Sequence, residues 1–276
     1  MTYIDVYKKA VAILEKAFAT EAQNDARLLL EYVCGTDRST MYIHGDREVT
    51  AEEESRYFDY IERRAKREPV QYIIGKTCFM GLDFNVDPST LIPRFDTECL
   101  VEEVMKELHS GMHILDMCTG TGCILLSLLK YSNDCTGDGV DINENAISLA
   151  KKNAEDLSIE ASFFVSDMFD EVKGKYDIIV SNPPYINSDV IDTLDEEVKN
   201  HEPVAALDGG VDGMSFYRII ARDSKEHLVR GGMLFLEIGH DQREKIMNLL
   251  ENEGYKNIEI FNDLAGNTRV AKAYFY

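Results

Sequence analysis

Tyr176-Asp177-Ile178-Ile179-Val180-Ser181-Asn182-Pro183-Pro184-Tyr185 is a β-branched apolar run that stops at two successive prolines. The run reads as a buried strand. Two prolines neither continue a ladder nor enter a helix interior, and they restrict the residue before them. In an open α/β sheet, ligands bind at the carboxyl ends of strands. The turn therefore holds the Asn182 carboxamide, the Pro183 carbonyl and the Tyr185 ring in fixed relation beside a ligand. Such a set can accept both hydrogens of a planar NH2 group and stack on its flat face. That chemistry suits a nitrogen nucleophile in an amide or an aromatic amine.

Working outward, strands and helices alternate from about residue 111. Strands are expected at 113–117, 137–141, 161–165, 177–181 and 232–238, and helices at 122–131, 144–157, 213–228 and 242–252. Two further strands, 258–261 and 270–276, close the chain with no helix between them. The pattern predicts a doubly wound, mostly parallel seven-stranded sheet with an antiparallel edge. Residues 1–67 instead show apolar positions at helical spacing, as in Tyr3, Val6, Tyr7, Ala10, Val11 and Leu14. Thr20-Glu21 and Asn24-Asp25 are expected caps, Gly35 a stop, and Thr50 with Glu53 a capping box. Between these regions, 70–75 and 78–86 read as two short β-rich runs. The expected layout is a helical bundle over 1–68, a β-hairpin linker over 69–92 and a catalytic domain over 93–276. The stretch from Ile186 to Asp212 is long and weakly patterned, which points to a functional loop.

The chain has 276 residues, a length that suggests two domains, and a formal net charge of −21. Residues 1–80 carry 12 basic and 14 acidic side chains, leaving 17 against 36 for the remainder. A body this acidic repels phosphate backbones, so no stable nucleic-acid partner is expected. No apolar window is long enough for a membrane span, and the first residues lack the layout of a signal peptide. A cytoplasmic monomer is the expectation. The six cysteines show no paired spacing, so free thiols are expected rather than a metal site. The run Arg63-Arg64-Ala65-Lys66-Arg67 reads as a solvated helix face.

Three loops carry further chemistry. Asp116-Met117-Cys118-Thr119-Gly120-Thr121-Gly122 follows the first strand of the alternating region, and its glycines let the backbone approach a ligand at a helix N-terminus. It is no phosphate loop, since no Lys-Ser/Thr follows, and Asp116 suits an amine better than a pyrophosphate. Asp141, followed by Ile142, ends the next strand, where a carboxylate can accept from a ribose; it could equally cap the next helix. Asp167 and Met168 follow the third strand, placed to accept from an adenine amino group and to pack on the ring. Glu202, Asp208 and Asp212 are surrounded by glycines and read as turn residues.

These parts in this order resemble the class I S-adenosylmethionine-dependent methyltransferases. Further stretches narrow the likeness: Arg67-Glu68-Pro69-Val70-Gln71-Tyr72-Ile73-Ile74-Gly75, Leu91-Ile92-Pro93-Arg94-Phe95-Asp96-Thr97-Glu98, Glu202-Pro203 with Ala206-Leu207-Asp208-Gly209-Gly210, Leu236-Glu237-Ile238-Gly239 and Asp263-Leu264-Ala265-Gly266. They are similar to the PrmC (HemK) family, with Phe95 standing where that family commonly has proline. The resemblance implies S-adenosyl-L-methionine as cofactor, held by Asp116, Cys118, Thr119, Gly120, Thr121, Gly122, Asp141, Ile142, Asp167, Met168 and Asn182. It implies Asn182, Pro183 and Tyr185 as catalytic residues, with Pro184 joining them in binding the substrate. The implied substrate is the glutamine of the Gly-Gly-Gln motif in class 1 peptide chain release factors. Alternatives are a glutamine methyltransferase of a ribosomal protein, a DNA or RNA adenine amino methyltransferase, and a cofactor-binding module without catalysis.

Overall fold

A computed structural model describes residues 1–17 and 21–276. The chain forms two compact units, Met1–Lys76 with Asp195–His201, and Thr77–Leu194 with Glu202–Tyr276.

The first unit packs α1 (Tyr3–Ala17), α2 (Ala22–Cys34), α3 (Arg38–Ile43), α4 (Ala51–Ala65) and α5 (Val70–Ile74). Tyr3, Val6, Ala10 and Leu14 of α1 meet Leu29, Leu30, Tyr57 and Ile61 in one apolar cluster. This is the core that helical periodicity predicts. Gly35 ends α2 in the left-handed conformation, and Thr50 and Glu53 form the reciprocal capping box of α4. Asn24 and Asp25 lie inside α2 instead of capping it, and Thr20 falls outside the described residues.

Residues 70–74 correct the strand reading. They form a helical turn that starts after Pro69 and stops at Gly75 in the left-handed region, burying Val70, Tyr72 and Ile73. The basic run is not a solvated face either. Arg64 is 3% exposed and bonds Asp25 at 2.6 Å and Glu197 at 2.7 Å, Arg67 pairs with the same Glu197, and Arg63 pairs with Glu68. Glu197 belongs to the short helix 196–201, so part of the long loop after the Asn-Pro-Pro-Tyr turn is tied into the helical unit.

In the second unit the hairpin occupies β1 (Lys76–Phe79) and β2 (Leu82–Asn85). Its Phe79 and Phe84 are fully buried in the unit's core, and Asn85 is bonded to Asn153, so it is built into the fold. The unit continues with α6 (Phe95–Met105), β3 (His113–Met117), α7 (Cys123–Tyr131), β4 (Thr136–Asp141), α8 (Glu144–Leu157), β5 (Ser162–Val165) and β6 (Tyr176–Ser181). After the loop helix α9 (Glu196–His201) come α10 (Ser215–Asp223), β7 (Leu228–Glu237), α11 (Arg243–Asn252), β8 (Lys256–Asn262) and β9 (Thr268–Tyr274). Helix α6 is an element the sequence reading missed.

The seven-stranded sheet has the order β5-β4-β3-β6-β7-β9-β8. Five strands run parallel, and β9 pairs antiparallel with both β7 and β8. The first strand of the closing hairpin, β8, therefore forms the rim, and the reversed strand β9 folds back to insert between it and β7. Apolar clusters cover both faces, as the unbroken apolar character of β3, β6 and β7 requires. The order reverses between β3 and β6, so the carboxyl ends of β3, β4, β5 and β6 open onto one crevice.

Gly139 of β4 shows how tightly that crevice floor is built. A Cβ there would sit 2.5 Å from the Phe163 ring and 2.9 Å from Thr119 Oγ1. Gly139→Ala is expected to cost about 1–3 kcal/mol by overpacking, read as a lower urea midpoint with unchanged slope; an unshifted midpoint would show the contact to be slack.

Candidate active site

The crevice encloses a cavity of about 540 Å³, within the range of small-molecule sites. The loop after β3 supplies Cys118, Thr119, Gly120 and Thr121. The ends of β4 and β5 supply Asp141 and Ile142, then Asp167 and Met168. Asn182 and Pro184 come from the turn after β6, Thr90, Pro93 and Arg94 from the approach to α6, and Thr97 from its first turn. Four separate sequence signals therefore converge on one cavity.

The carboxylate of Asp141 accepts from Gly120 N at 3.0 Å and from Asn143 N at 2.9 Å, which ties the first loop to the second. Burial raises its pKa and these backbone donors oppose the rise. Asn143, not Asp141, caps α8, so the capping reading of Asp141 is set aside. Ile142 is 63% exposed, an open apolar side chain beside the cavity. Cys118 and Met168 adopt positive φ values of 61° and 47° without being glycine, local strain of the kind found around ligand sites.

Four expected site residues lie off the cavity surface. Asp116 is fully buried behind Thr119, whose hydroxyl donates to it at 2.6 Å, and its Oδ1 has no hydrogen-bond partner. Burial pushes its pKa up to about 7, the Thr119 hydroxyl acting against the rise. Gly122 forms the N-terminal boundary of α7, with φ 78°. Pro183 is buried within the turn, and the Tyr185 side chain packs into the core with its hydroxyl 3.3 Å from Glu237 Oε1. The ring therefore does not present a stacking face to the cavity.

The turn is held from behind by residues the sequence reading passed over. Gln242 Nε2 donates to the Tyr185 carbonyl at 3.0 Å and to Gly213 O at 3.2 Å. Ile186 pairs with the 207–209 segment, where a Cβ on Gly209 would lie 2.6 Å from Tyr185 Cα. The glycines of this stretch thus permit close backbone approach to the turn. Glu202 is equally structural: it accepts from Ile92 N at 3.3 Å and pairs with Arg94 at the cavity wall. Asp208 and Asp212 are engaged by Ser188 and Arg218, in line with turn roles.

Asn182 is the residue of the turn that brings a polar side chain to the cavity. Its Nδ2 donates to Thr97 Oγ1 at 3.3 Å, which leaves Oδ1 as the accepting pole.

Comparison with known proteins gives the family. The PrmC N-terminal domain matches at residues 5–75 and the methyltransferase small domain at residues 94–200. The release factor glutamine methyltransferase of Clostridium acetobutylicum is 41% identical over 98% of this chain and 97% of its own. The chain belongs to the release factor glutamine methyltransferase family. The enzyme of that name from Agrobacterium fabrum is 41% identical over 93% of this chain and 92% of its own. Among solved structures, a methyltransferase from Pyrococcus furiosus superposes with a TM-score of 0.52 at 19% identity, covering 82% of this chain and 98% of its own; this likeness concerns the fold. Family membership makes the protein a methyltransferase.

Asp116 gives a pH-dependent prediction. Its proton is held up to about pH 7 in the folded chain but leaves near 3.8 when unfolded, so its charging destabilises the fold as pH rises through that window. Asp116→Asn does not titrate and should gain stability relative to wild type between pH 5 and pH 8, in urea unfolding at both values; a constant difference would contradict the assignment.

Proposed function

We propose that this protein transfers a methyl group from S-adenosyl-L-methionine to the side-chain amide nitrogen of the glutamine in the Gly-Gly-Gln motif of class 1 peptide chain release factors. The observation that carries the reading is Asn182, which lines the cavity with its amide nitrogen engaged by Thr97 and its oxygen left as acceptor. The two full-length relatives described above, each named for glutamine methylation of release factors, support the same substrate.

The residues present fit the cofactor. Asp141 at the end of β4 suits a ribose diol, Asp167 at the end of β5 suits an exocyclic amine, and Ile142 and Met168 offer apolar surface to an adenine. When bound, S-adenosyl-L-methionine supplies an electrophilic methyl group on a sulfonium whose departure needs no acid.

The chain's own task is to prepare a poor nucleophile. An amide nitrogen has its lone pair delocalised into the carbonyl. Asn182 Oδ1, at the cavity surface, accepts one of its hydrogens, orients the nitrogen and stabilises the positive charge that grows on it; the Pro183 carbonyl, behind that surface, would take the second only if the amide reaches into the turn. This is preorganised electrostatics and alignment rather than formal base catalysis. The buried site uses no histidine or thiolate; burial raises the Cys118 thiol well above its ordinary pKa. The acidic body of the chain disfavours a nucleic-acid substrate.

Mass spectrometry of the Gly-Gly-Gln peptide, after incubating a release factor with this protein and cofactor, should show one added methyl group on the glutamine. Unmodified peptide alongside methylated DNA or ribosomal protein would overturn the reading. Asn182→Ala should lower kcat about 10²–10³-fold with cofactor affinity nearly unchanged by calorimetry. Asp141→Ala should chiefly weaken cofactor binding.

A further inference from the structure

Tyr185 turns into the core, so the Asn-Pro-Pro-Tyr turn brings no aromatic ring to the cavity. One ring does line it. Phe216, the second residue of α10, is the single aromatic side chain among the described residues of the cavity surface. It is half-buried against the apolar cluster on which Tyr185 also packs.

Backbone contacts fix which end of the cavity that ring occupies. Ser215, the residue before it, donates its N–H to Gly209 O at 3.1 Å. Gly209 lies directly on the turn: its own N–H donates to Ile186 O at 2.8 Å, and a Cβ on it would stand 2.6 Å from Tyr185 Cα and 2.9 Å from the Pro184 oxygen. Phe216 is thereby tied to the side of Asn182 and Pro184, at the end of β6. Asp141 and Asp167, the carboxylates suited to an adenosine, belong to the ends of β4 and β5, across β3 in the sheet. The segment that carries Gly209 also brings the small side chains of Ala205 and Ala206 to the cavity, anchored where Ile186 N–H meets Leu207 O at 3.0 Å.

A carboxamide is flat, and its nitrogen reacts through a lone pair that stands perpendicular to the plane. The methyl group must arrive on one face, which leaves the other free for a flat neighbour. The face of a phenyl ring is electron-rich and attracts a cation within about 6 Å of its centre. The amide nitrogen is neutral before transfer and positive during it, so a ring on its far side favours the transition state over the ground state. The nitrogen lone pair forms the new N–C bond as the C–S pair returns to sulfur, and the surplus amide proton then leaves to water.

We propose that Phe216, not Tyr185, is the surface against which the substrate carboxamide lies, backing the face opposite the incoming methyl group. This rests on the acceptor being a glutamine amide, as proposed above. Ala205 and Ala206, being small, let the backbone on either side of that glutamine come close.

The test compares Phe216→Leu and Phe216→Tyr with wild type in the full chain, on a release factor at saturating cofactor. Leucine keeps the apolar bulk and removes the ring, whereas tyrosine keeps the ring. F216L should lose about tenfold in kcat/KM, and F216Y should stay within about twofold of wild type. The calorimetric affinity for S-adenosyl-L-homocysteine and the melting temperature should be unchanged in both. In NMR of a Gly-Gly-Gln peptide added to the S-adenosyl-L-homocysteine complex, the glutamine side-chain protons should shift upfield with wild type and F216Y, and lose that shift with F216L. Wild-type kcat/KM in F216L, or an upfield shift that survives in it, would overturn the proposal. A loss of S-adenosyl-L-homocysteine affinity in F216L with kcat/KM intact would overturn it too, by giving the ring to the adenosine. If the wild type itself methylates no glutamine, the functional reading fails and this inference falls with it; turnover by the wild type that F216L matches removes the inference alone.

Discussion

The parallel, in-register pairing of β3 with β4 on one side and β6 on the other is the constraint from which the site follows. Met117 sits opposite Val140 and Ser181, so three strands end at one level. Ser181 secures the junction by donating its hydroxyl to the Met117 carbonyl at 2.6 Å. From that level the glycine loop, the Asp141 turn and the Asn-Pro-Pro-Tyr turn leave toward the same space. Gly139 lets the Phe163 ring and Thr119 close beneath them. The cavity is thus a consequence of strand order and register, and the loops only decorate it.

Burial also shapes the electrostatics around it. Asp116, Asp141 and Glu237 all have their pKa values raised, and in each case burial is the largest cause. Burial disfavours the charged form of each, and of the three only Asp141 reaches the cavity surface. The acidity of the second unit has a local expression here, beyond any effect on solubility.

What the sequence made legible is whatever sits at a strand end within a short motif. Asp141, Asp167 and Asn182 could be placed because a strand, a turn and a polar residue follow one another within a few positions. Asp116 shows the limit of that reasoning: its place in the loop was right, but only packing shows that Thr119 comes between it and the cavity. Tyr185 likewise was expected to face the substrate, and its hydroxyl is drawn inward by Glu237. Thr97, Glu237 and Gln242 were quoted or passed over without a role, since their partners lie 85, 52 and 57 positions away along the chain. The misread 70–74 segment has a different cause. A short β-branched apolar run does not distinguish strand from helix, and Pro69 before it and Gly75 after it were the signals that would have.

The account's central claim is that Asn182 accepts a hydrogen of the substrate amide with a carboxamide whose other pole is tied to Thr97. A crystal structure of this protein with S-adenosyl-L-homocysteine and a glutamine peptide tests it most directly. The glutamine nitrogen should lie about 3 Å from Asn182 Oδ1, with Asn182 Nδ2 still on Thr97. A glutamine amide turned away from the turn, or an Asn182 that has left Thr97 to donate to the substrate, would contradict it.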